Sequence, residues 1–488
     1  MAAFFAASRP AVATDPGEQP APADGRRVAL SWVDADALAG RRAPSDLGAA
    51  SSTYVPVLPD LLPSKGRSPK RRSTKAQPPR PRPAKRRAVA RAVVPVAVAV
   101  VLAGGYTTAA LVWPLDNVQP SVTTADAPSV TAPASEIAWP DDGIAAVGVD
   151  GVTATAASAE GREAIASITK LVSVMMVLDR DPFDAGSQGD EHEIAYSDRV
   201  DYWNFLGRGE SAIDVPVGGT LTDYQLMQGA LIASAGNYTV KLTREFWPTD
   251  ESFASAADEW LSDNGLDGIT VVEPTGIDRG NSADPASLVR LAELAMEDPV
   301  IADIVSTESV DIPGAGTIEN TNPLLGDDGV VGLKTGGLFG TYNLLAAQDV
   351  TVDDTTVRVY AAVLGQPTEA LRASATADVL AQIAEEASQR QTLAAATPVG
   401  TVTAPWGTSS DVVTTADASV LLWNAATVTA ETDIDLGDAR SAGDTVGELR
   451  LSGPLDTAST PLTMTADLGE PDAWWRLTHP LELFGLAR

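Results

Sequence analysis

Hydrophobic and polar positions recur with different periods along this chain, and the changes of period divide it. Residues 1–91 are rich in Ala, Pro, Arg and Ser without sustained apolar periodicity, which predicts a disordered tail whose one apolar island is Val28-Ala-Leu-Ser-Trp-Val33. Residues 92–113 run for 22 positions without a charge, long enough to cross a bilayer as a helix. Over 114–135 Pro, Thr, Ala and Ser dominate, the composition of an extended stalk. Residues 143–149 then read as a buried strand and 163–178 as a helix with an apolar face. Further helices are expected over 222–232, with Thr222 as N-cap, over 238–246 and over 285–296. The period next falls to two: 330–337, 343–348 and 356–364 are strands joined by short turns and therefore antiparallel, followed by a long helix over 368–387. Helices placed between an early strand and a late antiparallel sheet predict an α/β sandwich with a helical insert over 136–390. After a Gln- and Thr-rich linker at 391–401, strand-sized runs such as 419–423, 447–451 and 461–465 predict a small all-β domain over 402–488.

Charge changes the picture at the N-terminus. Residues 1–91 carry 17 Lys and Arg against 7 Asp and Glu, whereas the remainder carries 17 against 58. So acidic a body is a poor partner for nucleic acid, and none is expected. Twelve of the basic residues fall between Lys65 and Arg91 with no acid among them, directly before the uncharged stretch. The positive-inside rule then holds the N-terminus in the cytoplasm, and the tail is far too long for the n-region of a cleavable signal. The expected arrangement is a single-pass signal anchor with everything after Trp113 outside the cell membrane.

Composition next removes most catalytic chemistries. There is no cysteine, hence no thiol nucleophile, disulfide or thiolate metal site. The two histidines, His192 and His479, read as a surface and a loop residue, and neither belongs to an H-E-x-x-H helix. No metal or cofactor is expected. What remains is Ser167-Ile-Thr-Lys170 at the head of the 163–178 helix, where residues three apart share a face and a hydroxyl can meet an amine. A serine in a first helical turn also offers a free N–H to an anion. The lysine must be neutral to act as base, and burial, the helix dipole and a second cation each favour that form. Only seven lysines occur among the 34 basic residues, four of them in the N-terminal tract, so Lys170, Lys241 and Lys334 stand out.

Three stretches in order carry a resemblance: Ser167-x-x-Lys170, Ser234-Ala-Gly-Asn237 and Lys334-Thr-Gly336. With Ile165-Ala-Ser-Ile-Thr-Lys-Leu171, Glu273-Pro-Thr-Gly-Ile277 and Asn281-Ser-Ala-Asp-Pro-Ala-Ser-Leu-Val-Arg-Leu-Ala292, the segment 143–387 resembles the low-molecular-mass D-alanyl-D-alanine carboxypeptidases of the serine β-lactamase and penicillin-binding superfamily. The resemblance implies that Ser167 attacks the terminal D-Ala-D-Ala bond of a peptidoglycan stem peptide, Lys170 takes its proton, and Ser234 relays it. It also implies that Lys334 and Thr335 hold the substrate carboxylate. Gly336 and Gly337 would leave room for substrate, the N–H of Gly337 joining that of Ser167 in an oxyanion hole. β-Lactams are the expected inhibitors.

The chain departs from that pattern where the family has S-x-N: Gly236 stands in the third position and asparagine follows at 237. Either a different turn lets Asn237 reach the cleft, or the site is weakened. A catalytically weakened wall-binding scaffold is therefore the alternative to a working carboxypeptidase, and the motifs alone leave transpeptidase or β-lactamase activity open. The C-terminal β domain resembles the family's C-terminal module, although 473–484 lacks the length and basic face of an amphipathic membrane anchor.

Overall fold

The computed structural model describes residues 85–125 and 129–486. The tail before Lys85, with its apolar island and most of the basic tract, lies outside the described residues. Helix α1 (Lys85–Val112) and strands β1 (Ser121–Thr124) and β2 (Ile144–Val149) come first. Seven helices follow: α2 (Thr169–Arg180), α3 (Tyr196–Gly207), α4 (Asp223–Leu231), α5 (Gly236–Phe246), α6 (Asp250–Asp263), α7 (Pro285–Glu297) and α8 (Pro299–Val305). Then come β3 (Val330–Leu338), β4 (Thr341–Val352), β5 (Thr355–Gln366) and α9 (Glu369–Ala387). The C-terminal part holds β6 (Arg390–Leu393), β7 (Pro398–Thr403), β8 (Ser409–Thr414), β9 (Ala418–Leu421), β10 (Thr429–Ile434), β11 (Thr445–Ser452), β12 (Thr457–Met464), α10 (Ala473–Thr478) and α11 (Pro480–Leu483).

The helices start where their caps dictate. Thr222 accepts from the Gln225 N–H and the Gln225 side chain returns to the Thr222 N–H, a reciprocal pair that opens α4. Asp284 accepts from the Ser287 N–H ahead of Pro285, whose missing donor costs nothing in a first turn. The central sheet runs β3-β4-β5-β2 and ends on Ala156–Ala157, with every pair antiparallel. Its strands are apolar on both faces because both are covered. Leu345, Ala347 and Ala362 pack with Leu288 and Leu291 of α7 and with α2, whereas Leu344, Ala346 and Ala361 pack with Val379 and Ile383 of α9. Only β3 is left as a long open edge on the side of the helical insert, and an open edge can accept an extended peptide.

Two expected boundaries are corrected. The segment 114–135, whose composition predicts a stalk, supplies β1, which pairs antiparallel with β7 from Ser121 opposite Thr403 to Thr124 opposite Gly400, while Val130 and Ala132 sink into the β-domain core. Small polar and β-branched residues look like a stalk by composition but suit an edge strand equally well. The expected linker, 391–401, falls mostly within β6 and β7, which pair with β9 and with β1 and β8. The β domain does have its own core, built on Val399, Val402, Val412, Leu449, Leu451 and Leu462 in a sheet ordered β1-β7-β8-β12-β11-β10. It is nonetheless sealed to α9: Leu421 and Trp423 are buried against that helix, and the Trp423 indole N–H donates to Glu386 over 2.8 Å. Residues 84–488 form one compact unit.

Within α1, Val93–Val112 is long and apolar enough to cross a membrane, and its side chains are largely uncovered. Its last turns meet the C-terminal helices. The Tyr106 hydroxyl donates to the Leu477 carbonyl over 2.6 Å, Arg476 donates to the Trp113 carbonyl over 2.8 Å, and the Trp113 and Phe484 rings meet edge to face at 4.9 Å.

Candidate active site

Ser167 occupies the short 3-10 turn Ala166–Ile168 that feeds directly into α2, so the Lys170 amine comes back over it one turn later. The Lys170 Nζ lies 2.8 Å from Ser167 Oγ and donates to the Thr275 carbonyl over 2.6 Å. Lys170 is 2% exposed, and burial lowers its pKa to about 8, against the opposing pull of the Glu273 and then the Glu210 carboxylates. An amine poised there reaches its neutral form at mildly alkaline pH, the state in which it accepts a hydroxyl proton.

The Thr275 carbonyl is held by a device that the sequence reading met only as part of a resemblance. The buried Glu273 carboxylate accepts from the Thr275 N–H and hydroxyl, the Gly276 and Ile277 N–H groups and the Asn281 side chain, over 2.5 to 2.8 Å. This closes 273–281 into a tight loop against the nucleophile. Gly276 sits at φ +86, and a Cβ there would fall 2.0 Å from the Ala166 carbonyl oxygen, so the loop can touch the Ser167 turn only as glycine. Asn343 was also missed. Its side chain donates to the Ala164 carbonyl and accepts from the Gly365 N–H, pinning β4 to the backbone just before Ser167.

The sequence-predicted residues converge with one exception. Ser167, Ser234, Thr335, Gly336 and Gly337 all line a cleft of ≈ 480 Å³ beside β3. Ser234 reaches it from the turn between α4 and α5, held at φ +59. Lys334 is 1% exposed, and burial, with the Lys170 and Arg372 charges, depresses its pKa well below that of a free lysine. The Thr335 hydroxyl lies 2.7 Å from that of Thr321, which also faces the cleft. Neither histidine lines this cleft. His192 instead lies 2.6 Å from Asp223 and 3.3 Å from Glu245, polar contacts that tie the start of α4 to the end of α5.

Asn237 is the exception and corrects the expectation. Its carboxamide accepts from the Ile213 N–H over 3.2 Å and donates to the Ile213 carbonyl over 2.9 Å, and it faces a separate cavity with His192 and Lys241. The turn residue at the third motif position is Gly236, whose N–H donates to the Ser211 carbonyl over 2.8 Å. A Cβ on Gly236 would stand 2.5 Å from the buried Phe205 ring, so that ring and Ser211 take up the space an asparagine would need.

Arg372 of α9 completes the cleft and had no signal in the sequence, because a lone arginine on a helix resembles any other. It is 8% exposed, its Nε has no partner, and it lines the cleft with Thr335 and Glu369. A buried guanidinium without a carboxylate is costly unless a ligand supplies one.

Residues 146–368 match the family described as D-alanyl-D-alanine carboxypeptidase. No curated protein sequence matches the chain. Among solved structures, penicillin-binding protein 5 from Haemophilus influenzae is 18% identical, with 69% of this chain and 100% of that chain covered and a TM-score of 0.46. Penicillin-binding protein 6B from Escherichia coli is 19% identical, with 68% and 98% covered and a TM-score of 0.48. The Streptomyces K15 DD-transpeptidase is 21% identical, with 50% and 98% covered and a TM-score of 0.44.

Proposed function

We propose that the chain, whose residues 146–368 match the D-alanyl-D-alanine carboxypeptidase family, removes the terminal D-alanine from peptidoglycan stem peptides through an acyl-enzyme on Ser167. The observation that carries this reading is the buried Lys170 amine at 2.8 Å from Ser167 Oγ, with its pKa lowered to about 8. Neutral Lys170 takes the hydroxyl proton as Ser167 attacks the carbonyl of the penultimate residue. The developing oxyanion is received by the N–H groups of Ser167 and Gly337, and Ser234 passes the proton to the departing amine. The terminal carboxylate is held by Thr335 with Arg372 and Lys334 behind it, and its charge offsets the burial and mutual repulsion that depress the Lys334 pKa. Free D-alanine leaves, and water attacks the ester with Lys170 again as base. β-Lactams offer the same carbonyl and carboxylate and trap Ser167. The test is direct: D-alanine release from a peptide ending in D-Ala-D-Ala, together with covalent labelling by a fluorescent penicillin.

The absence of a carboxamide from the cleft side of Gly236 favours a second reading, a scaffold that binds the wall without turning it over. Gly236→Asn separates the two. On the geometry, the new side chain collides with Phe205, so the variant loses activity and about 1 to 3 kcal/mol of stability by overpacking. Pairing it with Phe205→Ala opens the space. A gain of turnover in the double variant, by D-alanine release, identifies the glycine as what limits the enzyme.

We further propose that α1 spans the cell membrane with its basic flank in the cytoplasm and the body outside. Support comes from the twelve basic residues ahead of its uncharged stretch 92–113 and from α10 and α11 packed against its distal end, which seats the body on the membrane surface. Protease added to intact cells should digest residues beyond Trp113 and spare the tail; loss of the tail with a protected body would reverse the orientation.

A further inference from the structure

The far end of the cleft carries an arrangement that the reaction itself does not use. Phe339, at the tip of the β3–β4 hairpin, lines the cleft, is 70% exposed and is held at φ +51. A bulky side chain gains nothing for folding from exposure or from a left-handed backbone, and such residues persist where function holds them. Over its ring, at 4.7 Å from the centroid, lies the guanidinium of Arg279. Arg279 comes from the 273–281 loop, the same loop that touches the Ser167 turn through Gly276. The contact therefore ties the 273–281 loop, which abuts the Ser167 turn, to the hairpin tip that lines the cleft. Among the described residues no carboxylate pairs with Arg279. A guanidinium over a ring and without a carboxylate partner keeps N–H groups available to a carboxylate.

Strand register says which part of a substrate arrives there. A peptide lying antiparallel on the open edge of β3, with its terminal carboxylate at Thr335 and its scissile carbonyl at Gly337, has its preceding residues running out toward Leu338 and Phe339. Thr335 and Gly337 are alternate positions of β3 and mark successive contacts along one side, and Phe339 follows at the hairpin tip just past the end of the strand. Resting on the carboxypeptidase reading above, we propose that Arg279, presented by Phe339, is a specificity-determining residue that selects acyl donors with a free side-chain carboxylate on the residue preceding the penultimate D-alanine. The body around the site is strongly acidic, with 58 Asp and Glu against 17 Lys and Arg after residue 91, so an anionic donor needs such a local cation.

The experiment compares acetyl-L-Glu-D-Ala-D-Ala with acetyl-L-Gln-D-Ala-D-Ala, measuring kcat/KM for D-alanine release in the full chain. It also compares acylation by a penicillin with a side-chain carboxylate against benzylpenicillin, which needs no turnover. The wild type should favour the acidic member of each pair by roughly tenfold, the size of one charge-assisted hydrogen bond. In Arg279→Gln both ratios should fall to near one, and Arg279→Lys should restore only part of each because it keeps the charge and loses the fork. Wild-type ratios near one, or a preference that survives Arg279→Gln, overturn the proposal. Acylation with the acidic preference but without D-alanine release leaves the subsite standing and removes the carboxypeptidase reading. Absence of both release and acylation overturns the two together.

Discussion

Changing Ser167 to Ala should abolish covalent labelling by a fluorescent penicillin and lower D-alanine release by about 10⁴-fold or more, the scale of losing a nucleophile that acts as a unit with its base. Thermal stability should barely move. Ser167 fronts the cleft and contributes one hydroxyl, with little packing to lose. Lys170→Arg should fail as completely, although the charge is kept, because a guanidinium does not give up its proton and cannot accept one from Ser167. It should also destabilise the protein. Lys170 is 2% exposed within a shell that leaves room for an amine between Ser167 and the Thr275 carbonyl, and the fork of an arginine does not fit those two distances. Labelling that survives Ser167→Ala would place the nucleophile elsewhere and end the reading.

The pair that this test addresses was legible because helical spacing is a local rule: three residues apart on a first turn is a contact whatever the rest of the chain does. The antiparallel sheet was legible for a similar reason, since 330–364 holds strand-length apolar runs separated by short turns, and the strands found there are longer by a few residues at the turns. Asn237 shows where local rules end. Its place in the sequence puts it next to the cleft, but α5 begins at Gly236, and the first helical turn swings the side chain onto the Ile213 backbone. Arg372 and Asn343 were invisible because their roles are defined by partners far along the chain: Asn343 bridges to Ala164 and Gly365, contacts that no periodicity encodes. The stalk and linker failed differently. Composition reports what a segment can avoid burying, whereas β1 and β7 are decided by whether a neighbouring edge is free to pair.

The pH profile ties this loop architecture back to the chemistry. Proton abstraction needs neutral Lys170, so the acylation rate should rise about tenfold per pH unit on the acid side and level off above pH about 8, where the amine has lost its proton. Glu273 acts on that profile in a definite direction. Its negative charge favours the ammonium and raises the Lys170 pKa against the larger lowering by burial, so Glu273→Gln should let the amine become neutral at lower pH and move the inflection to the acid side. The same change damages the scaffold. The carboxylate receives Thr275, Gly276, Ile277 and Asn281 on two oxygens, and a carboxamide keeps only one acceptor while turning an N–H₂ toward donors. A cost of about 2 to 4 kcal/mol in denaturant unfolding is expected, with a lower plateau rate because the loop no longer presents the Thr275 carbonyl. Glu210→Gln provides the control: its carboxylate is the smaller of the two raising influences on Lys170 and takes no part in the 273–281 loop. It should shift the inflection in the same direction by less and leave the stability of that loop intact. An alkaline shift in either variant would show that Lys170 is not the group whose deprotonation sets the rate.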